Sequence, residues 1–340
     1  MQKYLSRLMV KLLVVLLVVG SIAACAQGTA EHTPTKPGVS PQIAIPTPTI
    51  SASPTPTASP QSKALPTVFL IMMENHNWSQ IAGNPSAPYM NNTLLPMASY
   101  ARAYYNPPRI HPSEPNYLWL EAGTNFGILD DGPPSSHHVA SSQHLVTLLQ
   151  HANISWKSYQ EGIDGTVCPL VTAGRYGVKH NPFVFFDDVT GTNNPQSAYC
   201  IAHERPYGEF ATDLRNNTVA HYNFITPDIC DDMHNSCAPS YNPVQQGDSW
   251  LAQQIPLILA SPSYQQGGVI FITWDEGEGG DGPIGLIALS PHARGKGYSN
   301  TIHYTHSSTL RTIEELFGVT PLLGDAANAT DLSDLFQQFP

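Results

Sequence analysis

Charge is what this chain has least of. Only 12% of its 340 residues are charged, and 15 Lys plus Arg stand against 26 Asp plus Glu, a formal net charge of −11. Without clustered Lys and Arg there is no counterion release, so a nucleic-acid partner is excluded. An anionic ligand would have to be met locally, by a metal ion or a helix N-terminus. Cysteine is scarce too, five in all, which excludes a small disulfide-stapled scaffold. Internal repeats and heptads are missing, and the apolar run at residues 12–19 is too short to span a bilayer comfortably. With 41% hydrophobic residues, 31 Pro and 25 Gly, the chain is neither a coiled coil nor wholly disordered. It can bury an ordinary core.

The N-terminus carries an address. Lys3, Arg7 and Lys11 precede or open the apolar run at 12–19, and small Ala23 and Ala24 follow, the layout of a secretory signal over residues 1–25. Ile22, Ala23, Ala24 and Cys25 resemble the lipobox of bacterial lipoproteins, in which the cysteine becomes the lipid-bearing N-terminus. The alternative is a soluble secreted protein cut nearby. Both place the mature chain outside the cytoplasm, either on the extracellular face of the cell membrane or released.

Of the 39 residues from 26 to 64, 20 are Pro, Thr or Ser. Such a segment buries too little surface to offset ordering entropy and reads as a disordered tether. Residues 65–340 then form one folded domain. Cys168, Cys200, Cys230 and Cys237 lie within it, and four cysteines in an oxidising compartment allow three pairings. Proximity favours Cys230 with Cys237 and Cys168 with Cys200. Metal ligation by these four is disfavoured because no paired CxxC spacing is present.

Short apolar-rich runs at Val68–Met73, 154–159, Tyr222–Thr226, Val269–Trp274 and 284–289 read as strands buried on both faces. Helical periodicity at 139–151, 250–259 and 310–317 alternates with them, the last closed by Gly318. The alternation predicts an α/β sandwich, in which ligands sit beyond the carboxyl ends of strands. Glu74 and Asn75 follow the first strand, and Asp275 and Glu276 follow the fourth. The third runs into a loop holding Asp228, Asp231, Asp232 and His234. Any one such pair is ordinarily a solvated loop. Three on one edge, if those strands are neighbours, supply hard oxygens and an imidazole suited to a divalent cation. Ser113 reads as the N-cap of a helix with Pro115 in its first turn. A hydroxyl at that position, beside metal ligands, is also where a nucleophile for phosphorus would sit.

Five ordered motifs, MMENHNW, HPSEPNYLWLEAG, PDICDDMHN, TWDEGEG and THSSTLRTIEELFG, resemble the bacterial phosphoesterase family of acid phosphatases and phosphatidylcholine-type phospholipases C, within the alkaline phosphatase superfamily. The resemblance implies a three-layer α/β sandwich with a largely parallel central sheet. It implies metal ligands at Glu74, Asn75, Asp275 and Glu276, with Ser113 as the metal-associated nucleophile. Asn116 falls where the family holds phosphoryl oxygens. Asp232 and His234 match its Asp-Met-His motif and His306 its C-terminal histidine; these three would complete a second metal site or act as outer groups and proton donors. His111 would bond phosphate or protonate a leaving oxygen, or do nothing as a loop histidine. His180 lines the site by its His-Asn-Pro motif. Asn77-Trp78 and Glu276 depart from common family residues while keeping the charge count.

The expected protein is a tethered, monomeric, metal-dependent phosphoesterase carrying one or two divalent ions. It would act on a phosphate-ester small molecule or a phospholipid headgroup. Monoester cleavage is favoured because family phospholipases C carry long extensions that this chain lacks after Gly318. Two rivals come from other classes: a serine carboxylesterase using Gly247-Asp248-Ser249, otherwise a helix N-cap, and a lipid-anchored solute-binding protein without chemistry.

Overall fold

The computed structural model describes residues 65–339 and the isolated Gly38. The expected signal, the Cys25 lipidation site and the tether lie outside the described residues. Ten strands are present among them: β1 Val68–Met73, β2 Ser99–Ala101, β3 Tyr104–Tyr105, β4 Trp156–Gln160, β5 Glu204–Pro206, β6 Tyr222–Thr226, β7 Val269–Trp274, β8 Leu286–Leu289, β9 Tyr298–Asn300 and β10 Tyr304–Thr305. Eight form one sheet in the order β5-β4-β6-β1-β7-β8-β2-β9, while β3 and β10 pair separately. The pairings from β5 through β7 are parallel, and β8 runs antiparallel to both neighbours.

Every residue of β1, β6 and β7 is buried, as happens only when both faces of a sheet are covered. The main helices form two packed groups. One joins α1 Ser113–Ala122, α2 Leu145–His151 and α5 His306–Phe317; the other joins α3 Phe210–Asn216 and α4 Pro243–Leu259. Each fully buried Ile, Leu or Phe contributes about 1.5–3 kcal/mol, so strands such as Val-Phe-Leu-Ile-Met-Met fix the centre of the molecule. The expected α/β sandwich with a mostly parallel sheet is observed.

Boundaries differ in informative ways. The helix expected at 139–151 starts only at Leu145, because the His144 ring is drawn into a buried network with Glu121 and Asp188. The helix expected at 250 starts at Pro243, where the Asn242 side chain accepts from the Gln245 amide. Gly247, Asp248 and Ser249 therefore lie inside α4 and are no N-cap. Asp248 accepts from the amides of Tyr89 and Met90 at 2.9 and 2.8 Å, and Ser249 donates to the Gln245 carbonyl at 2.7 Å. This arrangement removes the carboxylesterase rival. Gly318 ends α5 in the left-handed region (φ 64°). Both favoured disulfides are formed, Cys168–Cys200 and Cys230–Cys237, the second closing the loop that carries Asp231, Asp232 and His234.

Candidate active site

Strands β6, β1 and β7 are adjacent and parallel, so their carboxyl ends bring Asp232, Glu74 and Asp275 together. Ser113 arrives from the start of α1, and Lys179 and His180 from the segment after β4. The N-cap of α1 is Pro112 rather than Ser113, which is its first helical residue and caps nothing. Freed from capping, the buried Ser113 hydroxyl donates to Glu74 Oε2 at 3.2 Å. Buried Glu114 beside it accepts from Gly132 N and His137 Nδ1, each at 2.7 Å, and pins the helix start to the following loop.

Glu74 is the hub. Its Oε1 accepts from the Tyr117 hydroxyl and lies 3.4 Å from His180 Nε2, while His180 Nδ1 lies 3.1 Å from Asp232 Oδ2. The Asn75 amide nitrogen of the backbone donates to Asp275 Oδ1 at 3.0 Å. The end of its side-chain amide faces Glu74 Oε2 at 2.9 Å and Asp275 Oδ1 at 3.3 Å. Asn75 (φ 45°) and Met233 (φ 83°) both hold left-handed backbone beside the cluster, strain of the sort that persists where surroundings fix a site. Lys179 Nζ sits 3.0 Å from Asp131 Oδ2 and 3.2 Å from His234 Nε2.

Electrostatically the cluster is unbalanced. Burial, with Asp275 and Asp232 alongside, holds Glu74 well above the usual carboxylate range. Burial likewise raises Asp232, with the charges of Asp275 and Asp228 adding to it. Burial and the Lys179 charge push His180 down to about 3. Both His180 nitrogens, Asp232 Oδ2 and Asp275 Oδ2 are buried without a hydrogen-bond partner. Buried polar atoms are rarely left so. Oxygens converging from Glu74, Asp232 and Asp275, with imidazole nitrogens among them, are a donor set that a divalent cation satisfies. Glu74, His180 and His234 each present a ligand atom within 4.8 Å of the others.

The remaining expected residues divide. Glu276 is brought to the rim, where its Oε2 meets His111 Nδ1 and Asn116 Nδ2, the latter at 3.2 Å. Burial and Asp275 push it up to about 7. His111, about one-third exposed, lies between Glu276 and Asp281, whose Oδ1 is 2.9 Å from Nε2. Burial pulls its pKa down, but the Asp281 hydrogen bond and the Glu276 charge outweigh that and raise it. Asn116 also donates to the Ile110 and Pro112 carbonyls at 2.9 and 3.1 Å. His306, expected near the site, meets the Asp275 backbone. Burial pushes it down to about 4, and its Nε2 donates to the Asp275 carbonyl at 2.6 Å while Nδ1 faces the Tyr104 hydroxyl at 3.1 Å. One nitrogen thus holds the end of β7 and the other meets β3.

Tyr117 and Lys179 had no role from the sequence, although both stand inside recognised motifs. Their reach to Glu74 and His234 depends on how α1 and the segment after β4 meet.

The Phosphoesterase family profile matches residues 101–320, a span that holds Ser113 through His306 and begins after Glu74. Phosphatidylinositol-3-phosphatase of Mycobacterium tuberculosis is 29% identical over 279 residues, covering 81% of this chain and 85% of that protein. A probable acid phosphatase of Kluyveromyces lactis is 27% identical, covering 78% and 64%. Phospholipase C A of M. tuberculosis is 25% identical, covering 60% and 46%, so the chain spans under half of that protein's length. Among solved structures, the phosphonate monoester hydrolase of Agrobacterium radiobacter superposes with a TM-score of 0.51 at 11% identity, over 80% of this chain and 77% of that one. An alkaline phosphatase superfamily protein from Vibrio parahaemolyticus gives 0.51 at 10% identity, over 80% and 72%. These two likenesses concern the fold alone.

Proposed function

The chain belongs to the Phosphoesterase family, and from that premise we propose that it is a metal-dependent phosphomonoesterase using Ser113 as a covalent nucleophile, held outside the cytoplasm by a lipid on Cys25. The observation that carries the reading is the Ser113 hydroxyl, buried at the start of α1 and 3.2 Å from Glu74 in a cluster of unsatisfied acidic oxygens. A binding protein has no need of such a hydroxyl there.

A divalent cation held by Glu74, Asn75 and Asp275, with Asp232, His180 and His234 beside them, would neutralise the acids, draw an anionic substrate into an acidic domain and lower the pKa of the seryl hydroxyl. Ser113 Oγ attacks phosphorus, its proton passing to the carboxylate it already faces, and the ester oxygen leaves. Lys179 Nζ and the N-terminus of α1 offer positive potential to the phosphoryl oxygens. Asn116, held by the 110–112 backbone, lines the same approach. His111, raised by its two carboxylates, is placed at the rim to protonate the leaving oxygen. Water then hydrolyses the phosphoserine.

Two disulfides fit an oxidising compartment, and among the described residues no helix is long and apolar enough to cross a membrane. Substrates are a phosphate monoester on a small molecule or a lipid headgroup. Diester cleavage is the second reading, favoured by the match to Phospholipase C A. Comparing a nitrophenyl phosphate monoester with the bis-ester, before and after chelation and add-back, tests both. Chelator-sensitive turnover dominated by the monoester is expected; dominant bis-ester cleavage replaces the first reading with the second, and chelator-resistant turnover removes the metal.

A further inference from the structure

We propose that Glu161, Asp228 and Asp231 form a second cation site, distinct from the cluster around Ser113, that binds a hard divalent ion of the calcium class and ties the end of β4 to the disulfide-closed loop after β6. One carboxylate oxygen from each of the three lies within 4.8 Å of the others. Calcium–oxygen distances of 2.3–2.6 Å put two ligands of one ion at most about 5 Å apart, so the spacing suits a single ion. The oxygens are held in place by backbone donors: Glu161 Oε2 accepts from Asp228 N at 2.9 Å, and Asp228 Oδ1 from Cys230 N at 2.9 Å and Asp231 N at 3.2 Å.

Neutralisation is incomplete. The cation seen beside the three acids is Arg175, more than half exposed, whose Nη1 reaches Asp228 Oδ2 at only 3.4 Å.

A second, independent feature points to an occupant. Trp250, 5% exposed, lines the same cavity of about 380 Å³ as Glu161 and Asp231. Its indole N–H is directed at the Glu161 carboxylate, close enough to lower that group's burial-raised pKa, but forms no hydrogen bond of good geometry. A buried N–H without an acceptor is costly. Three carboxylates leave a calcium-class ion short of its six to eight oxygens, and a water completing that shell would supply the acceptor that the indole lacks. Gln245, Gln246, Gln253 and Gln254 along α4 bring further polar atoms to this cavity. None of the three acids takes part in the Ser113 hydrogen bonds, so the proposal stands apart from the catalytic reading.

The test is calcium binding to chelator-stripped protein by calorimetry, with thermal melting alongside. Asp275→Asn should retain one calcium ion and its rise in Tm. Glu161→Gln/Asp231→Asn should bind one ion fewer than wild type and lose that rise. Equal stoichiometry in wild type and the double variant, or no ion bound by Asp275→Asn, overturns the site. Should the double variant not fold, the folded Asp275→Asn protein decides by tryptophan emission. Calcium should change that emission, and adding Trp250→Phe should remove the change; an unaltered response, or none in the parent, rejects the proposal.

Discussion

Two buried histidines, each surrounded by acids, behave in opposite ways. His144 is fully buried, yet its Nδ1 meets Glu121 Oε1 at 3.1 Å and its Nε2 meets Asp188 Oδ1 at 3.0 Å and the Thr147 hydroxyl at 2.8 Å. Burial pulls its pKa down, but the bonds to Asp188 and Glu121 outweigh burial and raise it. His180 is equally buried and has Glu74 and Asp232 within 3.4 Å, but neither contact has hydrogen-bond geometry and its pKa falls to about 3. The first ring is a finished joint between α2 and its neighbours. The second has no such partners and sits in the proposed site, which separates scaffold from site more clearly than residue type does.

The sharpest way to break this contrast is at the nucleophile. Ser113→Ala should lower kcat by at least about 10³-fold with metal content by elemental analysis and circular dichroism unchanged; full activity refutes the assignment. Asp275→Ala should lose metal and activity together, by more than the roughly 10–100-fold typical of outer-shell changes; unchanged metal content counts against its role as ligand.

The histidines themselves come next. His144→Ala strands Glu121 and Asp188, and breaking a buried pair costs about 3–5 kcal/mol, so its Tm should drop with metal content preserved. His180→Ala should do the reverse, losing metal affinity with little change in the Tm of stripped protein. If both variants behave alike, the contrast is wrong.

The smallest effect is one of pH. The His144 pKa is raised in the folded protein above its unfolded value of about 6.5. Its stabilisation is therefore full below about pH 6.5 and is lost as pH rises through the folded value. The stability gap between chelator-stripped wild type and His144→Gln, by urea unfolding, should narrow from pH 6 to pH 8. A gap that widens over that range refutes the sign.

How much of this is legible in the sequence follows local information. Val68–Met73, Tyr222–Thr226 and Val269–Trp274 were readable to the residue, because apolar-rich runs end at acidic motifs. The start of α4 was hidden, since its first turn is polar and only the Asn242 cap marks it. Glu74, Asn75, Asp232 and Asp275 were readable from strand ends. His180 rested on a short motif, and Tyr117 and Lys179 went unassigned because their contacts join elements far apart in the chain. The outward roles of Glu161, Asp228 and Asp231 depend on β4 lying beside β6, an adjacency that no periodicity encodes.

The position of β1 has a consequence for motion. Paired with β7 from Val68 to Met73 and with β6 from Val68 to Ile71, it anchors Glu74 at the end of a braced strand, and we expect admission of substrate to fall to the loops around residues 130–137 and 175–180. The amides of Phe69 to Met72 should be among the last to take up deuterium, with those loops exchanging far sooner. The chemistry then stands on the stillest part of the molecule, with the breathing left to its rim.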